Sequence, residues 1–238
     1  MKQFYKTIVD LGFFSNEKRL EFKMNSIFNS IDFKNKNVLD IGGGIGLLGF
    51  YAIANGAKSS LNIEPEMDGA SSKLLKKFET IKKNLDMVNA EMLGMEIQNF
   101  SSKNKYDLVI MYNSINHLNE DMCIELKTST QAEQIYINLL QKIGNLMTPS
   151  ATILVSDCSS NNIYTFLGLK NPFAKNIEWK KHQSPKLWIR LFDEAGFKCI
   201  YKSWSTYNRF GRFGKFIFGN FIASYFMSSH FNLRFVKK

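Results

Sequence analysis

The sequence predicts a doubly wound α/β fold on a mostly parallel sheet, and three observations predict it. Apolar runs of strand length alternate with segments of helical spacing, the βαβ repeat that sets parallel strands side by side. The first such run, residues 37–41, is closed by Gly42-Gly43-Gly44, as a buried parallel strand entering a tight turn reads. Composition supplies the core: of 238 residues, 45% are hydrophobic and 14% aromatic, enough for one large α/β domain.

Each element follows in order. Residues 5–33 form a helical lead, 37–41 the first strand, and 47–55 a helix that stops near Gly56. Residues 59–63 read as a second strand and 71–85 as a lysine-rich surface helix. Residues 87–90 read as a third strand, 106–112 as a fourth, and 131–146 as a helix. The fifth strand, 151–156, is expected after a turn signal at Met147-Thr148-Pro149-Ser150. Residues 159–183 hold Asn, Gly, Pro and aromatics without period, which suits an insertion over the sheet's carboxyl edge, where such sheets bind ligands. Residues 185–195 return to helical spacing, 197–204 read as a strand, and 230–236 as a last strand alternating in and out. With no internal repeat or low-complexity linker, the expectation is one domain over 1–238: a helical cap 1–33, a core 34–158, a covering loop 159–183, and a C-terminal helix and strands 184–238.

A net charge of +10 admits an anionic partner, because summed charge concentrates opposite charge nearby. The lysines are spread among Asn, Ile and Phe rather than clustered, which argues against a dedicated polyanion function. Cys123, Cys158 and Cys199 lie far apart without zinc or iron–sulfur spacing, so no metal is expected and they read as reduced core thiols of a cytoplasmic protein. The first residues lack the apolar stretch of a secretory signal. Residues 216–227, broken by Gly219, Asn220 and Ser224, are too short for the roughly 20 residues that span a bilayer.

The chemistry lies in Val38-Leu39-Asp40-Ile41-Gly42-Gly43-Gly44-Ile45-Gly46, where absent side chains let backbone amides approach a ligand and a helix N-terminus follows. Gly44-Ile45-Gly46-Leu47-Leu48-Gly49 satisfies the dinucleotide pattern GxGxxG, but its register is wrong. The run that follows directly on the strand, Gly42-x-Gly44, has Leu47 where the third glycine belongs. Asp40 points the same way: a carboxylate there opposes a pyrophosphate in sign and suits a cationic ligand.

With three further blocks, these residues resemble the class I S-adenosylmethionine-dependent methyltransferases, in the small-molecule branch often called methyltransferase type 11. The blocks are Leu61-Asn62-Ile63-Glu64-Pro65, Asn89-Ala90-Glu91-Met92-Leu93, and Tyr106 to Leu118 with Tyr112-Asn113-Ser114-Ile115-Asn116-His117 at its end. They cover about residues 30–160, and Ala195-Gly196-Phe197 adds a weaker match. The resemblance implies a Rossmann-like, seven-stranded sheet with an antiparallel C-terminal strand and S-adenosyl-L-methionine as cofactor. It implies that Gly42, Gly43, Gly44 and Gly46 cradle the methionine end, with Asp40 toward its amino group. Glu64 would accept from both ribose hydroxyls. Asn89, Ala90 and Glu91 would flank the adenine, although many members have Asp where Asn89 stands, and Asn113 would lie beside the transferring methyl.

Methyl transfer from a sulfonium is an in-line displacement, so the protein mainly orients, and a base is needed only when the acceptor must lose a proton. His117 and His182 are the candidate catalytic residues, Tyr112 and Trp179 the candidate acceptor contacts, residues 159–183 the acceptor lid, and His230 a structural residue. The Asn/Asp-Pro-Pro-aromatic and Pro-Cys patterns of nucleic-acid methyltransferases do not occur. The expected acceptor is therefore a small molecule, or a small group on a lipid or glycan. RNA or protein methylation, and cofactor binding without catalysis, stay open, as does oligomeric state. Basic and aromatic residues interleaved over 209–227 admit peripheral membrane contact.

Overall fold

Among the described residues, seven strands form in chain order: β1 (Asn37–Ile41), β2 (Ser59–Ile63), β3 (Ala90–Leu93), β4 (Tyr106–Tyr112), β5 (Met147–Cys158), β6 (Phe197–Trp204) and β7 (His230–Lys237). The computed structural model describes residues 1–65, 71–174, 177–205 and 211–238. The strands follow the order β3-β2-β1-β4-β5-β7-β6, with β7 antiparallel to both its neighbours. The mostly parallel, doubly wound sheet with an antiparallel C-terminal strand is thus as the sequence predicts. The chain divides into two units, Met1–Met111 and Tyr112–Lys238.

In the first unit β1 pairs in parallel with β2 and β4, and β2 with β3. Val38, Leu39 and Ile41 are buried, as a strand covered on both faces requires. Helix α3 (Leu47–Ala54) follows β1 and α4 (Ser71–Leu85) precedes β3. The helical lead is two helices, α1 (Lys2–Asp10) and α2 (Glu17–Ile27), the second started by the Asn16 side chain accepting from the Arg19 amide. They pack by aromatic contact on α3: Phe28 stacks on Tyr51 at 5.2 Å between ring centres, and Phe4 and Phe33 meet the same ring edge-on.

Two strand boundaries differ from expectation. The third strand is three residues later than 87–90. Asp86, at φ 52°, ends the turn after α4, Val88 is 80% exposed, and the ladder with β2 runs from Ser60 opposite Ala90 to Ile63 opposite Leu93. Met147-Thr148-Pro149-Ser150 is no turn but the start of β5, with Met147 buried and Pro149 and Ser150 exposed. Pairing with β7 begins only at Thr152, so Pro149 interrupts no rung of that ladder.

In the second unit, a 3-10 turn (Ile115–His117) and α5 (Glu120–Glu125) follow β4, and α6 (Thr130–Asn145) precedes β5. The covering loop holds α7 (Ile163–Phe166) and a 3-10 turn (Trp179–Lys181). Helix α8 (Pro185–Glu194) opens with Ser184 accepting from the Leu187 amide and Pro185 in the first turn. Its Phe192 stacks on Phe235 of β7 at 3.8 Å, and Trp188 is fully buried. Helices α9 (Gly211–Phe218) and α10 (Phe221–Phe226) lie between β6 and β7. No helix among the described residues is long and apolar enough to cross a membrane.

Candidate functional site

The glycine turn after β1 is built from the strand outward. Gly42, Gly44 and Gly46 have φ of 66°, 56° and 73°, the left-handed region that glycine enters without penalty. The Gly42 amide donates to the Ile63 carbonyl at 2.7 Å, and the Gly46 amide to the Gly43 carbonyl at 3.0 Å. Asn62, buried near the end of β2, reads the turn twice: its Oδ1 accepts from the Gly43 amide at 3.2 Å and its Nδ2 donates to the Gly44 carbonyl at 2.9 Å. Glu64 Oε2 accepts from the Gly44 amide at 2.7 Å. Gly43 admits no side chain, since a Cβ would lie 2.3 Å from Asp40 Oδ2 and 2.6 Å from Asn62 Oδ1.

Asp40 is fully buried beneath Gly43, and neither of its carboxylate oxygens makes a hydrogen bond of ordinary geometry among the described residues, although the Gly49 backbone of α3 lies near enough to oppose the rise of its carboxyl. Burial, then the nearby Glu64 charge, pushes its carboxyl up to about 7. The resemblance aims this carboxylate at the cofactor's amino group. The structure places it under the turn, directly beneath Gly43. A buried carboxylate without a hydrogen bond of ordinary geometry, under a cradle of glycine amides, fits a ligand that carries positive charge, as the methionine end of S-adenosylmethionine does.

The structure sets the adenine candidates Asn89, Ala90 and Glu91 away from Glu64. In parallel strands the ligand side is the carboxyl end, and Glu64 marks it for β2: its amide donates to the Leu93 carbonyl at 3.1 Å. Asn89 and Ala90 lie at the other end of β3, and Glu91 only one residue further on. Three residues of strand, about 10 Å, separate Ala90 from Leu93. Asn89 is occupied there, its Nδ2 donating to the Lys58 carbonyl at 2.8 Å. The residues beside Glu64 are Leu93, Gly94 and Met95, which the sequence reading missed because it set the strand three residues early.

In the second unit the β4 end carries Tyr112 and Asn113. Asn113 has φ of 54°, and its amide donates to the Ser156 carbonyl at 2.7 Å. Its Oδ1 meets His230 Nε2 at 2.9 Å, His230 Nδ1 meets Ser205 Oγ at 3.2 Å, and the Tyr112 ring lies 5.6 Å from that of His230. Asn232 extends the chain, donating to Ser205 Oγ and accepting from Ser156 Oγ at 2.6 Å. His230, read from the sequence as structural, is therefore bonded to a candidate site residue. No local signal could show it, since 117 residues separate the pair.

His182 and Trp179 come together, with ring centres 6.0 Å apart. His182 Nδ1 meets Asp157 Oδ1 at 3.1 Å; the carboxylate is fully buried at the end of β5 and also accepts from the Cys158 amide at 2.7 Å. Such a partner fixes the ring so that Nε2 carries the lone pair. His117 is placed otherwise. It is exposed, its Nδ1 pairs with Glu120, and its Nε2 lies 3.3 Å from Asn116 Nδ2, so both ring nitrogens are engaged. Hydrogen bonds from Lys181, then His117, hold the Glu120 carboxyl below the usual carboxylate range.

A family model described as a methyltransferase domain matches residues 17–202 of this chain. The chain belongs to that methyltransferase family. It is an enzyme of the S-adenosylmethionine-dependent kind, with that molecule as its cofactor. No curated protein sequence is significantly similar to this methyltransferase. Among solved structures it is similar to an S-adenosylmethionine-dependent methyltransferase from Aquifex aeolicus, at 13% identity and TM-score 0.62, over 95% of this chain and 96% of that one. It is similar to the magnesium protoporphyrin IX methyltransferase from Synechocystis PCC 6803 with bound S-adenosylhomocysteine, at 12% identity and TM-score 0.61, over 93% and 85%. A third is the mitomycin 7-O-methyltransferase MmcR, at 10% identity and TM-score 0.59, over 92% of this chain; this methyltransferase spans only 54% of that protein's length. At such identities the likeness is one of fold.

Proposed function

We propose that this methyltransferase transfers its methyl group to a small molecule, or to a small group on a lipid or glycan. The observation that carries the cofactor half is Asp40: a buried carboxylate without a hydrogen bond of ordinary geometry, under a glycine turn whose amides and whose Glu64 suit a cationic nucleoside ligand. When bound, that cofactor supplies an activated methyl on a sulfonium. The residues of the chain then have three tasks. Gly42, Gly43, Gly44 and Gly46 hold the amino-acid end through backbone groups, Glu64 takes the ribose hydroxyls, and Leu93, Gly94 and Met95 border the base in place of Asn89, Ala90 and Glu91.

The acceptor half rests on Asn113 and His182. Asn113-Ser114-Ile115-Asn116 stands where an exocyclic-amine nucleic-acid methyltransferase has its proline pair, which supports a small acceptor. His182, fixed through Nδ1 by Asp157, is set to take a proton at Nε2 from an acidic acceptor group. Trp179 beside it, with Tyr112, contributes apolar contact, and residues 159–183 form the acceptor lid. Asp157 is the positioning residue that the sequence reading did not single out. His117, paired into the surface with Glu120, is left out of the base role.

The test is methyl transfer from labelled S-adenosylmethionine to a cell extract separated into metabolites, lipids, RNA and protein. Label is expected in the metabolite or lipid fraction, and His182→Ala should lower turnover about 100-fold if the acceptor must be deprotonated, the usual scale for a lost base. Label in RNA or protein alone would overturn the acceptor assignment, and unchanged turnover in His182→Ala would remove the base.

A further inference from the structure

Exposed apolar surface is concentrated in one place. Fifteen large hydrophobic side chains of the described residues are exposed, and nine of them fall within two short stretches of the second unit, 166–173 and 216–226. Phe166 is 79% exposed, Phe216 89% and Ile222 69%, far beyond the scattered exposure that any soluble surface shows. The two stretches are joined. The Asn171 side chain, itself buried, donates to the Met227 carbonyl at 2.7 Å, and Ser159 and Ser229 exchange two hydrogen bonds at 2.6 and 2.9 Å. Helix α7 and the loop after it therefore share one patch with α10.

Charge decides what the patch meets. The stretches that hold the patch, 159–177 and 205–229, contain no Asp or Glu and carry Lys170, Lys175, Arg209, Arg212 and Lys215. A second copy of the chain on this patch would set a basic, acid-free surface against itself, which a twofold interface cannot relieve. An anionic lipid surface satisfies both features at once: its acyl boundary takes the Phe, Leu and Ile side chains and its headgroups take the Lys and Arg. We propose that the second unit docks peripherally on an anionic membrane surface through α7, α9, α10 and the loop 167–173. This inference shares α7 and the loop 167–173 with the proposed acceptor lid, but it does not depend on which acceptor is methylated or on the base.

The test is sedimentation of the full chain with phosphatidylcholine vesicles, with and without phosphatidylglycerol, at low and high salt. Binding to the anionic vesicles about tenfold stronger than to the neutral ones, and weakened by salt, is expected. Phe216→Ser combined with Ile222→Ser should abolish sedimentation, and Lys170→Glu, on an exposed side chain of the same loop, should lower it while leaving the fold untouched. S-adenosylhomocysteine titration of each variant checks that the first unit is intact. Equal binding to both vesicle types, or binding that survives both variants, would overturn the proposal. So would the absence of vesicle binding together with a dimer that the apolar substitutions disperse, which would make the patch a self-association face.

Discussion

In the first unit, the polar groups around the glycine turn find their partners one βα step away: Gly43 with Asn62, Gly44 with Glu64 and Asn62 with Gly44 are 18 to 20 residues apart. In the second, Asp157 reaches His182 across 25 residues, Ser159 reaches Ser229 across 70, and Asn113 reaches His230 across 117. The first arrangement is fixed by one strand, one turn and one neighbouring strand, so it is rigid and intolerant of added atoms. The second is assembled from distant loops, so changes in one loop disturb its partners less directly than an added atom disturbs the turn.

Glycine substitutions test that contrast most severely. Gly43→Ala forces a Cβ against Asp40 and Asn62, and should cost about 3 kcal/mol of stability and remove cofactor binding. Gly168→Ala, at φ 67° in the loop after α7 with open space around it, should cost only about 1 kcal/mol and leave the cofactor bound. Denaturant unfolding and calorimetric titration of the two variants compare the regions directly. Equal losses would show that the two are built alike.

Asp40→Asn isolates the buried charge. The folded carboxyl is held near 7, above its ordinary 3.8, so the unfolded chain gives up its proton first. Stability is fully present below pH 4 and is lost as pH rises to 7, by roughly 4 kcal/mol at most. The cofactor-free protein should therefore melt progressively lower from pH 4 to pH 7, and Asp40→Asn should flatten that slope. A cation bound above the turn reverses the sign, so affinity for S-adenosylmethionine should rise with pH in the native protein and not in the variant. A native Tm that ignores pH in this window would disprove the assignment.

The smallest effect is expected at the rim. Glu64→Ala should weaken S-adenosylhomocysteine binding by about 1.5 to 3 kcal/mol, the scale of hydrogen bonds to a charged group, without unfolding the chain. An unchanged dissociation constant would remove Glu64 from the ribose contact and narrow the cradle to the turn itself.

These distances explain what the sequence could reveal. β1, β2, α4, β4 and β6 lie where their apolar periods place them, because each is defined by local pattern and closed by glycine, turn or capping residues. β3 escaped because Met87-Val88-Asn89-Ala90 has the composition of a strand, while the actual register is dictated by β2, and the adenine candidates moved with it. The start of β5 escaped because a Pro-Ser turn signal is also tolerated in a strand segment that lies beyond the ladder with β7. Asp40 and Glu64 were legible from their offsets to the glycines, but the burial of Asp40 under Gly43 was not, since only the folded turn covers it. His230 and Asp157 carry no pattern at all until the chain brings Asn113 and His182 to them.

The bond between Gly44 and Glu64 has one more consequence. The carboxylate proposed for the ribose already holds the turn in its left-handed shape, so the loop need not be re-formed between successive turnovers. If Glu64 takes the ribose as proposed, departure of the spent cofactor would leave it paired with the Gly44 amide instead of leaving both groups to solvent. Product release is then an exchange of hydrogen-bond partners on a standing scaffold, and the loop's ordering time should not limit the rate at which donor replaces product.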